Sequence, residues 1–126
     1  MQPNLTYITE SGEILERVKL ESALHLSSIR HLAMRQDGLV AFATQWQGDT
    51  SLSHPLLGFH KLGARSLIAT IPERDLARMK GYIGSVSFSE DGHKVAVSSP
   101  QGGQVQLFNV TSLHTRAVLR HQRFAA

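Results

Sequence analysis

The amino-acid sequence predicts an all-β fold, and within that class a β-propeller fragment of about two and a half four-stranded antiparallel blades with one short helix near residues 72–80. An internal repeat carries the prediction, because HLAMRQDGLVAFATQ (His31 to Gln45) returns as SVSFSEDGHKVAVSSP (Ser85 to Pro100). Each copy reads as a hairpin with further strand-like segments behind it, and the start of the chain resembles the second half of such a unit.

The elements follow in order. NLTYITESGEILERVKL (Asn4 to Leu20) places Tyr7-Ile8-Thr9 before Ser11-Gly12, as Phe108-Asn109-Val110 stands before Thr111-Ser112, and reads as the last two strands of a unit. The first repeat alternates Leu32 and Met34 with Ala33, turns at Asp37-Gly38, and returns through Val40-Ala41-Phe42. Alternation with period two around an Asp-Gly pair is the sequence form of a β-hairpin. PLLGFHKLG (Pro55 to Gly63) and ARSLIATI (Ala64 to Ile71) complete four strands.

IPERDLARMKGY (Ile71 to Tyr82) interrupts the pattern. Pro72 stands at a helical start, Glu73 and Asp75 in the first turn, Arg78 and Lys80 in the last, and Gly81 just beyond. These are the charges and breakers of a short helix, with Leu76 and Met79 as its buried contacts. In the second repeat Val86, Phe88 and Val95-Ala96-Val97 align with Leu32, Met34 and Val40-Ala41-Phe42 after a one-residue insertion. GQVQLFNVTS (Gly103 to Ser112) and HTRAVLRH (His114 to His121) follow as its outer strands.

One partial propeller domain over 1–126 is therefore expected. It divides into outer strands of a first blade at 4–27, a second blade at 28–71, a helix and link at 72–82, and a third blade at 83–121. Four antiparallel strands repeating about every 40 to 50 residues are the pattern of propeller blades. Leu32, Met34, Val40, Phe42, Val86, Phe88, Val95 and Val97 are the expected core strand positions, since their alternation repeats in register.

Composition bounds the chemistry. Hydrophobic residues form 41% of the chain and charged residues 18%, the balance of a folded domain. Thirteen basic residues are dispersed among ten acidic ones for a net charge of +3, with no basic block of the kind nucleic acid selects. The absence of cysteine excludes disulfides, thiolate catalysis and cysteine-ligated zinc. The amino terminus lacks the pattern of a signal peptide, and no stretch approaches the roughly eighteen apolar residues of a membrane helix.

The strings SIRHLA (Ser28 to Ala33), ATQWQGD (Ala43 to Asp49), PLLGFHKLG, RMKGYIGSV (Arg78 to Val86) and VAVSSPQGGQV (Val95 to Val105) resemble the bacterial domain-of-unknown-function 1513 family, across about Asn4 to Asn109. The resemblance implies a WD-repeat-like propeller, a periplasmic location and a setting near iron acquisition, and it implies no reaction. Family members are longer than this chain, and AVLRHQRFAA (Ala117 to Ala126) departs from their continuation, so an excised fragment or a natural truncation is expected.

Blade topology sets the Asp-Gly turns on one face and collects Arg30, His31, Gln45, Trp46, Gln47, Asp49 and Tyr82 on the other as a candidate ligand-binding group. Arg30 shares parity with Leu32 and Met34, so its guanidinium reads either as an anion ligand at the channel entrance or as a structural ion pair. Gln45 to Asp49 combine an aromatic ring, amides and a carboxylate, a composition suited to a polar or sugar-like ligand, or to a loop that packs Trp46 on its own blade. Tyr82 completes that surface or caps the helix. His31 and His60 are weak metal candidates against the alternative of hydrogen-bonded sheet histidines.

No serine sits in a nucleophile elbow, and Gly102-Gly103 precedes no helix that would bind phosphate. No catalytic residue and no cofactor are expected. The leading reading is a non-catalytic binding or scaffold segment, linked through the resemblance to periplasmic metal acquisition. The other is a propeller enzyme or redox protein with a cofactor at the channel mouth, Arg30 and His31 beside it. The expected partners are the remaining blades or further copies of this chain, with neither nucleic acid nor membrane insertion.

Overall fold

The computed structural model describes residues 3–49, 54–112 and 117–125. Its strands are β1 (Asn4–Ile8), β2 (Ile14–Lys19), β3 (Ser27–Met34), β4 (Val40–Trp46), β5 (Leu57–His60), β6 (Leu67–Thr70), β7 (Ser85–Phe88), β8 (Lys94–Ser99), β9 (Gln104–Ser112) and β10 (Ala117–Ala125). An α-helix, α1 (Glu73–Arg78), lies between β6 and β7, and a 3-10 turn spans Ser22–Leu24. The fold is all-β, as the alternation predicts. Residues 113–116, including the expected start of the last strand at His114, lie outside the described residues.

The strands form antiparallel groups in sequence order: β1 with β2, then β3-β4-β5-β6, then β7-β8-β9-β10. A short parallel contact, Ala117 to Ala69 and Val118 to Thr70, also joins the outer strands β10 and β6. The alternation does not foresee it, since outer strands are expected to end each unit. An unpaired sheet edge takes up whatever strand lies alongside it.

The repeat is reproduced down to its turns. Gly38 donates to Arg35 O and Gly92 to Ser89 O, both at 2.9 Å. Each glycine has positive φ, +92° and +76°, the region that only glycine enters without strain. The aspartate before each glycine accepts from the amide two residues on, Leu39 N at 3.2 Å and His93 N at 2.9 Å. These side-chain bonds mimic a backbone turn, which is why Asp-Gly marks both positions.

Cross-strand register sorts the side chains. Leu32 faces Phe42 and Met34 faces Val40 on one side of the first unit, while Ala33 faces Ala41 on the other. In the second unit Val86 faces Val97 and Phe88 faces Val95, with Ser87 opposite Ala96 and Ser85 opposite Ser98 on the reverse side. Each unit thus has a large-residue face and a small-residue face. Ala41 and Ala43 of the first unit share a buried cluster with Val95 and Val97 of the second, against which Val86 and Phe88 pack. The alanines let the backbones of β3 and β4 approach β7 closely.

The large-residue face of the first unit meets the β1–β2 hairpin instead. Leu5, Val18, Leu20 and Leu24 bury Val40 and Phe42. The Phe42 ring leans across its partner Gly58 into the space that a β-carbon would fill. Val40, Phe42, Val95 and Val97 are buried as expected, and Val86 and Phe88 are half-buried. Leu32 and Met34 are not core residues: they are 55% and 72% exposed. The reason is coverage, because the hairpin reaches β4 and β5 and leaves this face of β3 open.

Helix α1 begins one residue later than its sequence suggests, with Pro72 as the N-cap. Met79 is fully buried and Leu76 packs against the main cluster, as expected. Lys80 and Gly81 then turn through positive φ, 55° and 74°, to bring the chain back beneath β4.

Candidate functional site

The link after α1 pairs with the end of β4. Trp46 N donates to Gly81 O at 2.8 Å, Ile83 N donates to Thr44 O at 3.2 Å, and Gln45 bridges Tyr82. Three backbone contacts therefore place Tyr82 beside the C-terminal end of β4. This end is opposite the Asp37-Gly38 turn, because the ladder of β3 and β4 runs from Ser27–Trp46 at one end to Met34–Val40 at the other.

His31 reaches this group from β3. Its Nε2 lies 3.5 Å from Tyr82 Oη, the long limit for a hydrogen bond, and the rings are 6.4 Å apart. Gln45 and Trp46 are half-buried and Gln47 is exposed, its backbone N–H donating to Leu26 O at 2.8 Å. Trp46 is committed to its own loop: Nε1 donates to Asp49 O at 3.0 Å, and the indole stacks on His54 at 3.6 Å. Asp49 is exposed in that loop. Gly48 lies under the Trp46 ring, where a β-carbon would collide with Nε1.

Arg30 does not sit at a buried apolar entrance. A register shift between Ile29 and His31 makes it the extra residue of a bulge, and it is exposed, with Nε donating to Ser28 Oγ at 3.0 Å. The structure thus brings together His31, Gln45, Trp46 and Tyr82, carries Gln47 and Asp49 on the adjoining loop, and leaves Arg30 on an open strand surface.

His60 belongs elsewhere. It is 1% exposed in β5, with Nδ1 at 2.7 Å from Tyr7 Oη and Nε2 at 2.9 Å from Ala64 O. Glu16 Oε2 stands 3.5 Å from the same Nε2, and Glu16 Oε1 accepts from Gly63 N at 2.8 Å. Two acceptors at Nε2 hold a proton there, so in the neutral ring Nδ1 accepts from the Tyr7 hydroxyl. Burial, and then the nearby Glu16 charge, push the Tyr7 hydroxyl up, which keeps it a donor. This polar clasp fixes the β1–β2 hairpin to the first unit. Both ring nitrogens of His60 are engaged by protein, and among the described residues no group of three histidine, aspartate or glutamate side chains is placed to hold a metal.

At the turn end, Arg35 donates to both oxygens of Asp37 at 2.9 Å and to Gly92 O at 3.1 Å, tying the two Asp-Gly turns together. Its guanidinium lies 5.9 Å from the centre of the Phe88 ring. The Arg35 hydrogen bond holds the Asp37 carboxyl well below the usual carboxylate range, helped by the Leu39 amide and by Lys61 at 3.5 Å. A shallow pocket between the turns is lined by Arg35, Gln36, Asp37, Glu90 and Asp91.

The sequence does not single out one further group. Asp75 of α1 is 1% exposed, and neither carboxylate oxygen has a hydrogen-bond partner among the described residues. Gln106 is also buried, donating through Nε2 to Asp75 O at 3.3 Å, while its Oε1 and the Ser99 hydroxyl have no hydrogen-bond partner among the described residues. Gln106 shares strand parity with Phe108, so a polar residue on an inward-facing position was the available signal.

The family described as "Protein of unknown function (DUF1513)" matches residues 1–125, and the chain belongs to that family. No curated protein matches the chain. Among the described residues no helix is long and apolar enough to cross a membrane.

Proposed function

We propose that this member of the DUF1513 family is a segment of a β-propeller, about two and a half blades, that serves as a non-catalytic binding or scaffold module. One observation carries the reading: the small-residue face of one four-stranded unit packs on the large-residue face of the next, with equivalent cross-strand pairs and an Asp-Gly turn in both hairpins. Stacking of like units, each burying its face against a neighbour, is how repeat architectures build a core. Blades at 28–71 and 83–121, with outer strands of a further blade at 4–27, follow from it.

The ligand-facing end in this proposal is the one that gathers His31, Gln45, Trp46 and Tyr82, held by main-chain pairing from two separate segments. A rigid scaffold with polar loops at one end is the usual placement of a binding site. The periplasmic location and the link to metal acquisition belong to the same proposal and rest on the family resemblance. The partners are further blades, from this polypeptide or another copy.

The test is a titration of the isotopically labelled chain with a panel of monosaccharides and small carboxylates, followed by amide shifts. Saturable shifts clustered on His31, Gln45, Gln47 and Tyr82 are expected. Shifts confined to the Asp37 and Asp91 turns would place binding at the other end. Metal analysis and absorbance of the purified protein complete the test, since a stoichiometric metal or chromophore contradicts the non-catalytic reading.

A further inference from the structure

Five buried side-chain oxygens have no hydrogen-bond partner among the described residues, and four of them gather where α1 packs on β8 and β9. They are both carboxylate oxygens of Asp75, Oε1 of Gln106 and Oγ of Ser99, on side chains that are almost wholly buried. Register explains the gathering. Val97 pairs with Gln106 and Ser99 with Gln104, so these four side chains share one face of the β8–β9 ladder with Val95 and Phe108.

Helix α1 closes over that face. Asp75 and Met79 lie four residues apart on one stripe, and Met79 is buried in a cluster with Val95, Val97 and Phe108. The Asp75 end is fixed directly, because Gln106 Nε2 donates to Asp75 O at 3.3 Å and to Gln104 Oε1 at 3.4 Å. The turn after β8 presses on the other end of the helix, where a β-carbon at Gly102 would collide with Arg78 O. An apolar interface thus ends in a polar patch shut off from solvent.

The patch consists mainly of acceptors. The Gln106 side-chain N–H groups face Asp75 O and Gln104 Oε1, which leaves Oε1 as an acceptor, and the Ser99 hydroxyl is the one donor among the four groups. The carboxylate lies out of water, whereas Arg74 and Arg78 of the same helix are exposed. A buried charge with neither donors nor a counter-charge is among the costliest arrangements in a folded protein. Water would donate to these oxygens but leave the charge in place.

We propose that Asp75, Ser99 and Gln106 hold a single alkali-metal cation, sodium or potassium, between α1 and the β8–β9 face. Charge and ligand type select this class. One carboxylate balances one positive charge, so a divalent ion would leave a net charge buried. Calcium takes about six to eight oxygens, magnesium keeps several waters, and zinc favours nitrogen and sulfur. The ion is structural and exchangeable. Held at millimolar strength it leaves on desalting, which separates it from a stoichiometric metal that survives purification. The site is independent of what the His31–Tyr82 end binds and needs only the seating of α1 on β8 and β9.

Thermal melting of the full chain in sodium, potassium and choline chloride at equal ionic strength tests the site, since choline is too large to enter it. At about 200 mM salt the wild type is expected to melt about 4 °C higher in the favoured alkali salt than in choline chloride, the shift that mass action gives an ion bound at roughly 20 mM. The comparison of sodium with potassium identifies the ion. Asp75→Asn should melt at or above the wild type in choline chloride and lose the dependence on the cation. Asp37→Asn, which alters an exposed ion pair, should keep it. Ser99→Ala is a milder change in case Asp75→Asn does not fold, and is expected to raise the salt concentration of half effect about fivefold, as for the loss of one neutral ligand. Equal melting of the wild type in all three salts overturns the cation site. A full alkali response in folded Asp75→Asn, or an unchanged half-effect concentration in Ser99→Ala, overturns it as well.

Discussion

Tyr7 Oη meets His60 Nδ1 at 2.7 Å, joining β1 to β5 across 53 residues of sequence. His60 is buried, so the loss of this donor leaves an unsatisfied ring nitrogen inside the sheet. Tyr7→Phe is expected to destabilise the chain by about 1–2 kcal/mol, the range for a buried group left without its partner. Urea unfolding followed by tryptophan fluorescence and circular dichroism measures it. An unchanged midpoint would show that the hairpin is held by its apolar contacts alone.

Gly58 stands opposite Phe42, and the phenyl ring occupies the β-carbon position. Gly58→Ala forces the ring out of its place in the hairpin–sheet interface and is expected to cost about 1–3 kcal/mol, the range for overpacking a close-packed core. Phe42→Leu should recover part of that loss when combined with it, because the two changes act on one space. Strict additivity in the double variant would contradict the steric explanation.

Asp37 supplies a pH-dependent term. Its folded carboxyl is held below the unfolded value of about 3.9, chiefly by the Arg35 hydrogen bond. The stabilisation is therefore complete above about pH 5 and declines as pH falls through and below 4. With the Asp37 side chain 44% exposed, solvent screening limits it to about 1 kcal/mol or less. Asp37→Asn should lower stability by that amount at pH 7, less in 1 M salt, and converge with the wild type in acid. A constant difference from pH 7 to pH 3 would assign the effect to the turn geometry rather than to the charge.

Asp75 gives a prediction of opposite sign. A carboxylate buried without donors is costly, and asparagine keeps its shape while removing the acid. Asp75→Asn is expected to leave thermal stability unchanged or raise it, by up to about 2 kcal/mol. A loss of more than about 1 kcal/mol would mean that the carboxylate is paired in solution, and exchange rates of the α1 amides would locate the partner.

Much of the fold was legible because strands and tight turns are local. The Asp-Gly pairs announced both hairpins, and the one-residue insertion appears as the longer return from Ser89 to Lys94, against Arg35 to Leu39. Legibility ended where parity had to be converted into burial. Leu32 and Met34 alternate as correctly as Val95 and Val97, yet are exposed, because alternation names a face and cannot say what lies against it. Arg30 was misplaced for a related reason, since a bulge between Ile29 and His31 has no mark in the residue types.

The candidate site divides in the same way. Opposite ends for Trp46 and Asp37 follow from strand direction alone, so the sequence by itself determined the all-β class, the repeated hairpins and which loops share an end. The pairing of Gln45 with Tyr82, the stacking of Trp46 on His54, and the clasp of Tyr7 and Glu16 on His60 were decided by the tertiary structure. Periodicity is a property of neighbouring residues, whereas each of these contacts depends on how far one sheet extends over another, and that distance is set only when the units pack.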